Sequence, residues 1–130
     1  MKIKIVRADV MSMKVDAMVS PTDGETMETT GGNLLCRFVI HVPQPARGDD
    51  EQWKLRQATL KALERAEELA VATVALPPFW KSDHDECARV MMQAVRDFSD
   101  RARSLQRVVF LPVGEASHEI FERAMADEES

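Results

Sequence analysis

The sequence predicts an α/β protein in one domain, residues 1–130, built on a mostly parallel sheet with covering helices. Three observations predict it. Short apolar, β-branched segments fill the first third of the chain, and after it helix-like and strand-like segments alternate. Two of the later segments, "VATVALP" and "RVVFLPV", are apolar without a break, as in strands buried on both faces. The chain has 130 residues, 45% apolar and 30% charged, which suffices for one core without staples.

"KIKIV" (Lys2 to Val6) alternates with period two and reads as a strand. "VDAMV" (Val15 to Val19) is a short buried strand that stops at a turn, Ser20 to Gly24, punctuated by Pro21 and Gly24. "RFVIHV" (Arg37 to Val42) is the most β-prone stretch, and "PQPARGDD" enforces a loop after it. Asp49 or Asp50 then caps a helix in which Leu55, Ala58, Ala62, Ala66 and Leu69 recur at helical spacing. "VATVALP" ends at Pro77-Pro78 and suits a central strand. Ser82 and Asp85 have capping-box spacing before a helix with the apolar face Cys87, Val90, Ala94 and Phe98. "RVVFLPV" is the last strand and "SHEIFERAMA" a final short helix.

This alternation implies right-handed crossovers, and in such sheets ligands bind outside the carboxyl ends of the strands. The turns at Ser20 to Gly24, at Pro77-Pro78 and after Val113 are therefore the candidate rims of one crevice.

Charge and composition exclude several classes. A net charge of −5 with scattered Lys and Arg argues against a general nucleic-acid binder. No apolar run is long enough to span a bilayer, and the alternating N-terminus does not read as a signal peptide, so the expected compartment is the cytoplasm. Cys36 and Cys87 are expected as buried thiols rather than a disulfide.

Several segments together resemble macro domains, the ADP-ribose-binding family. "MKIKIVRADV…VDAMVSPTD" is similar to the family's opening strand, Gly-Asp-Ile, and Val-Asp-Ala-Ile-Val-Asn-x-x-Asn. "TGGNLLCRFVIHVPQP" resembles its Gly-x-Leu…Tyr-Val-Ile-His-Thr-Val-Gly-Pro strand, and "VATVALP" with "ECARVMMQAVRDF" its Ile-Ala-Phe-Pro strand and helix. "LQRVVFLPVGEASHEIFERAM" resembles the closing strand and helix. The resemblance implies a three-layer α/β/α sandwich with a mixed, mostly parallel sheet. One family helix is lacking, because Asp23 is followed at once by "GETMETTGGNL", with no glycine-rich loop and no helix between. The family's second phosphate loop, Ser-Thr-Gly-Ile-Tyr-Gly, is replaced by the glycine-free "PPFWKSDHDE". Val113 stands where family members often carry an adenine-stacking Phe.

Carried over residue by residue, the resemblance implies ligand-binding roles for Asp9, Val10, Ser20 and Asp23. Asp9 matches the acceptor for the adenine amino group and Val10 the adjacent backbone contact. Ser20 and Asp23 replace the two asparagines, and a carboxylate at Asp23 repels a diphosphate. Against each stands a plainer reading, since an Asp after a strand and a Ser-Pro-Thr-Asp-Gly turn are explained by turn geometry alone.

Other combinations are weaker. Thr29 to Gly32 reads as a turn before it reads as a phosphate cradle. His84 and Cys87 are two potential metal ligands, which do not make a site. Cys36 and His41 do not read as a nucleophile–base pair, and His41 reads as a satisfied structural histidine. Trp80 and Lys81 look exposed; Trp80 either stacks on a base or partner or plugs the crevice.

The resulting expectation is a non-catalytic binding module with a degenerate site for ADP-ribose or a purine nucleotide, bound weakly. No catalytic residue, metal or cofactor is expected. The alternative is an interaction or structural protein that has lost its ligand. Hydrolysis of ADP-ribosyl bonds ranks last, because the glycine-rich segment is absent. Loss of one covering helix further predicts a homodimer that buries Met18, Met27 and Phe38.

Overall fold

The structure, a computed structural model, describes residues 1–6, 15–22, 36–80, 82–112 and 114–129. The β-branched and apolar runs form β1 (Lys2–Ile5), β2 (Ala17–Thr22), β3 (Phe38–Pro43), β4 (Thr73–Leu76) and β5 (Arg107–Phe110). The helices α1 (Glu51–Glu68), α2 (His84–Phe98) and α3 (Glu115–Glu129) follow the third, fourth and fifth strands. The strands form one sheet in the order β1-β5-β4-β2-β3, and all four described pairings are parallel. This is the α/β sandwich that the alternation predicts. β4 is central, as its unbroken apolar run requires.

Successive strand residues sort into two sets, as a period of two demands. Ala17, Val19, Ile40, Val42, Val74, Leu76, Val108 and Phe110 join side chains from all three helices in the main core. Ala75, Val109 and Leu111 form a second, smaller cluster with Val6, Val15 and Met18 packed against it. The three described helices therefore share one face of the sheet. The expected covering layer on the opposite face is not among the three described helices, and segments 7–14 and 23–35 lie outside the described residues.

The helices bury the faces that spacing predicts, with wider stripes. In α1 Leu55, Ala58, Ala62 and Ala66 are buried, joined by Leu63 and by Thr59, whose hydroxyl donates to the Leu55 carbonyl at 2.9 Å. In α2 Cys87, Ala94 and Phe98 are buried together with Ala88, Met91, Met92 and Val95. Phe110 meets Phe121 of α3 at 5.4 Å between ring centroids.

Four expectations are corrected. The strand at Val15–Val19 does not stop before Ser20 but runs as β2 through Pro21 to Thr22. Beyond Met18 it pairs only with β3, so a residue without an N–H is tolerated there. Neither expected helix cap forms: Asp50 and Asp83 precede α1 and α2 in the left-handed conformation, φ 57 and 52, without a side-chain cap bond. The Ser82–Asp85 capping box is thus not made, because a capping side chain works from an extended backbone. The final helix is not short but spans fifteen residues. Finally, Met18 and Phe38 do not share a patch. Phe38 packs on the main core and Met18 on the second cluster, across the sheet from each other, and Met27 lies outside the described residues. The surface expected to drive a homodimer is thereby split between two faces.

Candidate functional site

Strand order places the crevice. From β2 the chain moves outward to β3, and from β4 it moves the other way to β5, so direction reverses between β2 and β4. Such a switch point is where open parallel sheets bind ligands. The two strands pair only at Ala17–Val74 and Met18–Ala75. Past that point Pro21 on one side and Pro77-Pro78 on the other have no N–H to extend a ladder.

Ser20 is half-buried on the β2 side of this opening and is the register partner of His41 on β3. Both side chains belong to the face away from the three helices, by alternation with Val19 and with Ile40 and Val42. The ring nitrogens of His41 are buried, as a structural histidine requires. Neither finds a hydrogen-bond partner among the described residues, so the histidine is not the satisfied one that was expected. Cys36 lies before the first residue of β3. Asp9, Val10, Asp23, the Thr29–Gly32 segment, Lys81 and Val113 all lie outside the described residues.

The β4 side is built by the loop that follows β4. Its two aromatic residues turn inward: Phe79 and Trp80 are each 1% exposed and belong to the main core. Trp80 is therefore neither exposed nor available to stack on a base, because its ring closes the helix-side core beneath the loop. Arg47, from the loop after β3, covers that ring at 3.8 Å. The same guanidinium donates to Glu51 at 3.2 Å, to Asp83 at 2.6 Å and to the Ser82 hydroxyl at 3.2 Å. The Gln44 amide donates to the Phe79 carbonyl. The loops after β3 and β4 are thus tied into one unit. The Arg47 hydrogen bond, helped by the Gly48 N–H, holds the Glu51 carboxyl below its ordinary range despite partial desolvation.

The electrostatics at this rim disfavour an anion. A helix N-terminus offers free amides and a positive dipole end. At α2 that position already holds Asp83 with Asp85 and Glu86 in the first turn. Metal chemistry fares no better. Burial pushes the Cys87 thiol up to about 11, and its Sγ lies 3.6 Å from Met91 Sδ in the core rather than toward His84. No group of three His, Cys, Asp or Glu side chains able to hold a metal occurs among the described residues.

Residues 8–91 match the macro domain family. This chain is a member of that family. A protein of Sulfolobus acidocaldarius is 30% identical over 104 residues, covering 77% of this chain and 56% of its own. The chain spans about half, or less, of the length of the curated relatives it matches. Among solved structures, the Oceanobacillus iheyensis macrodomain with ADP superimposes with a TM-score of 0.80 at 15% identity, over 96% of this chain and 90% of that one. The Trypanosoma brucei macrodomain in complex with ADP gives 0.77 at 16% identity, over 95% and 69%. At these identities the likeness speaks for the fold.

Sequence reasoning missed the residues that organise this macro domain's loops. Asp16 accepts from the Ala72 and Thr73 N–H groups at 2.9 and 3.2 Å, while its own N–H donates to Thr73 Oγ1 at 2.8 Å. The signal was present: it is the one charged residue inside the apolar run Val15–Val19. Arg47 and Gln44 carried no comparable signal, since apart from Glu51 their partners are more than thirty residues away.

Proposed function

We propose that this macro domain is a non-catalytic binding module whose crevice takes the purine end of a nucleotide and has lost its hold on the diphosphate. The carrying observation is the β4 loop. Where the family resemblance places a glycine-rich phosphate loop, this chain has two buried aromatic residues, an Arg47 tie and three carboxylates at the start of α2. Macrodomains of the same fold are known with ADP, which supports a nucleotide as ligand class. On this reading Asp9 and Val10 contact the base, Ser20 lines the β2 side, and Asp23 opposes phosphate. Hydrolysis of ADP-ribosyl bonds is not proposed, since proximity contributes roughly 7–11 kcal/mol to such steps and depends on a held substrate.

Calorimetric titration with adenosine, AMP and ADP-ribose tests this. The expected result is weak binding of all three, with no gain for ADP-ribose over AMP. Asp23→Asn should improve ADP-ribose selectively. Affinity for ADP-ribose far above that for AMP in the unmodified protein would overturn the reading.

A further inference from the structure

The end of the sheet opposite the crevice carries a cleft of about 500 Å³ at the start of β1, β4 and β5. Lys2, Thr73, Arg103, Gln106 and Arg107 line it, and no carboxylate among the described residues does. Register explains the grouping: Arg107 is the direct partner of Lys2 on one side and of Thr73 on the other. All three alternate with main-core residues, so they project from the face away from the helices. Arg103 arrives from the α2–β5 loop.

Two further observations make this more than a basic surface. Among the described residues Lys2, Arg103 and Arg107 form no ion pair, in a chain whose net charge is −5. The two carboxylates that approach this end bond to backbone, although Glu67 also feels the charge of Arg103. Asp16 accepts from the N–H groups of Ala72 and Thr73, and Glu67 from those of Arg103, Ser104 and Leu105. Secondly, the Arg107 Nε is buried with no hydrogen-bond partner. Because that atom is closed to the cleft, an oxyanion there would accept from the outer guanidinium N–H groups of Arg107, for which the described residues supply no carboxylate. The Thr73 hydroxyl accepts from the Asp16 N–H, which leaves its proton free to donate to the same oxyanion.

We propose that this cleft is a second, phosphate-binding site, independent of the nucleotide crevice, with Arg107 as its fixed donor and Lys2 and Arg103 supplying charge. Three cations around one cleft suit a compact, multiply charged phosphate group. That chemistry belongs both to a free pyrophosphate and to a polynucleotide backbone.

Titration calorimetry at fixed ionic strength, with pyrophosphate and separately with a short single-stranded oligonucleotide, tests the site. Pyrophosphate binding is expected to weaken about tenfold or more in Arg107→Ala and several-fold in Arg103→Ala. Arg107→Lys keeps the charge without the planar fork of guanidinium donors and should recover only part of the loss. Arg56→Ala removes a cation that is paired with Asp97 elsewhere and should change nothing. Oligonucleotide binding lost in the same variants would assign the phosphate to a nucleic-acid strand, and pyrophosphate binding alone to a small anion; either supports the site. Arg103→Ala, in a loop, keeps the test valid if Arg107→Ala does not fold. Binding of neither probe, or binding unchanged in both Arg103→Ala and Arg107→Lys, would overturn the proposal.

Discussion

The two ends of this sheet use the same side-chain types to opposite effect. At the carboxyl ends of the strands, one arginine, Arg47, is shared by Glu51 and Asp83, and two further carboxylates crowd the start of α2. At the amino ends, two carboxylates, Asp16 and Glu67, are turned onto backbone N–H groups, and three cations remain unpaired among the described residues. The net charge of the chain predicts neither end. What decides whether an end attracts or repels an anion is where its carboxylates find their donors. The ends also differ in what holds them: buried aromatic surface at one, hydrogen bonds to backbone at the other.

Removing each anchor breaks that contrast. The largest effect is expected for Trp80→Ala, which empties a buried indole site and should cost about 3–5 kcal/mol in urea unfolding. A loss below about 1 kcal/mol would mean that the β4 loop is not anchored by its aromatic residues. Asp16→Ala strands two part-buried N–H groups and should cost about 1–3 kcal/mol, with Asp16→Asn, which keeps an acceptor oxygen, losing less. Equal losses in the two Asp16 variants would show that charge, not acceptance, is what β4 needs.

The smallest and sharpest test is pH. Burial opposes ionisation of Glu67, but the N–H groups of Ser104, Leu105 and Arg103 outweigh it and lower its pKa. A lowered folded pKa gives stability that is complete above the ordinary glutamate value of about 4.3 and is lost as pH falls through the folded value. The unfolding midpoints of the unmodified protein and Glu67→Gln should therefore differ at neutral pH and converge in acid. Parallel curves down to the acid limit would remove Glu67 from the account.

Much of this was legible in the sequence. Alternation gave β1, apolar and β-prone runs bounded by turns gave the other four described strands, and helical spacing gave the buried faces of α1 and α2. Order along the chain was enough for the parallel sheet. Illegible were features settled by partners distant in the chain. Pro21 reads as a breaker until β2 is seen to lean on β3 alone beyond Met18. Trp80 reads as exposed beside Lys81 and Ser82 until Arg47 is placed over its ring. Ser82 and Asp85 have the spacing of a capping box, but spacing does not reveal that Asp83 is left-handed.

The pairing of β1 with β5 joins residues about a hundred positions apart, Lys2 with Arg107. The segment from β3 through α1, β4 and α2 to β5 is continuous, and its neighbours in sequence are mostly neighbours in space. That segment assembles from short loops, whereas β1 gains β5, its partner among the described strands, only after the strands and helices between them have been made. Closing so long a loop costs entropy before any contact rewards it, which slows folding and orders its steps. On a ribosome β1 is made long before β5 and waits for it. Until they pair one side of β5 is an open edge, and "RVVFL" is the stretch through which two half-made chains would pair with each other.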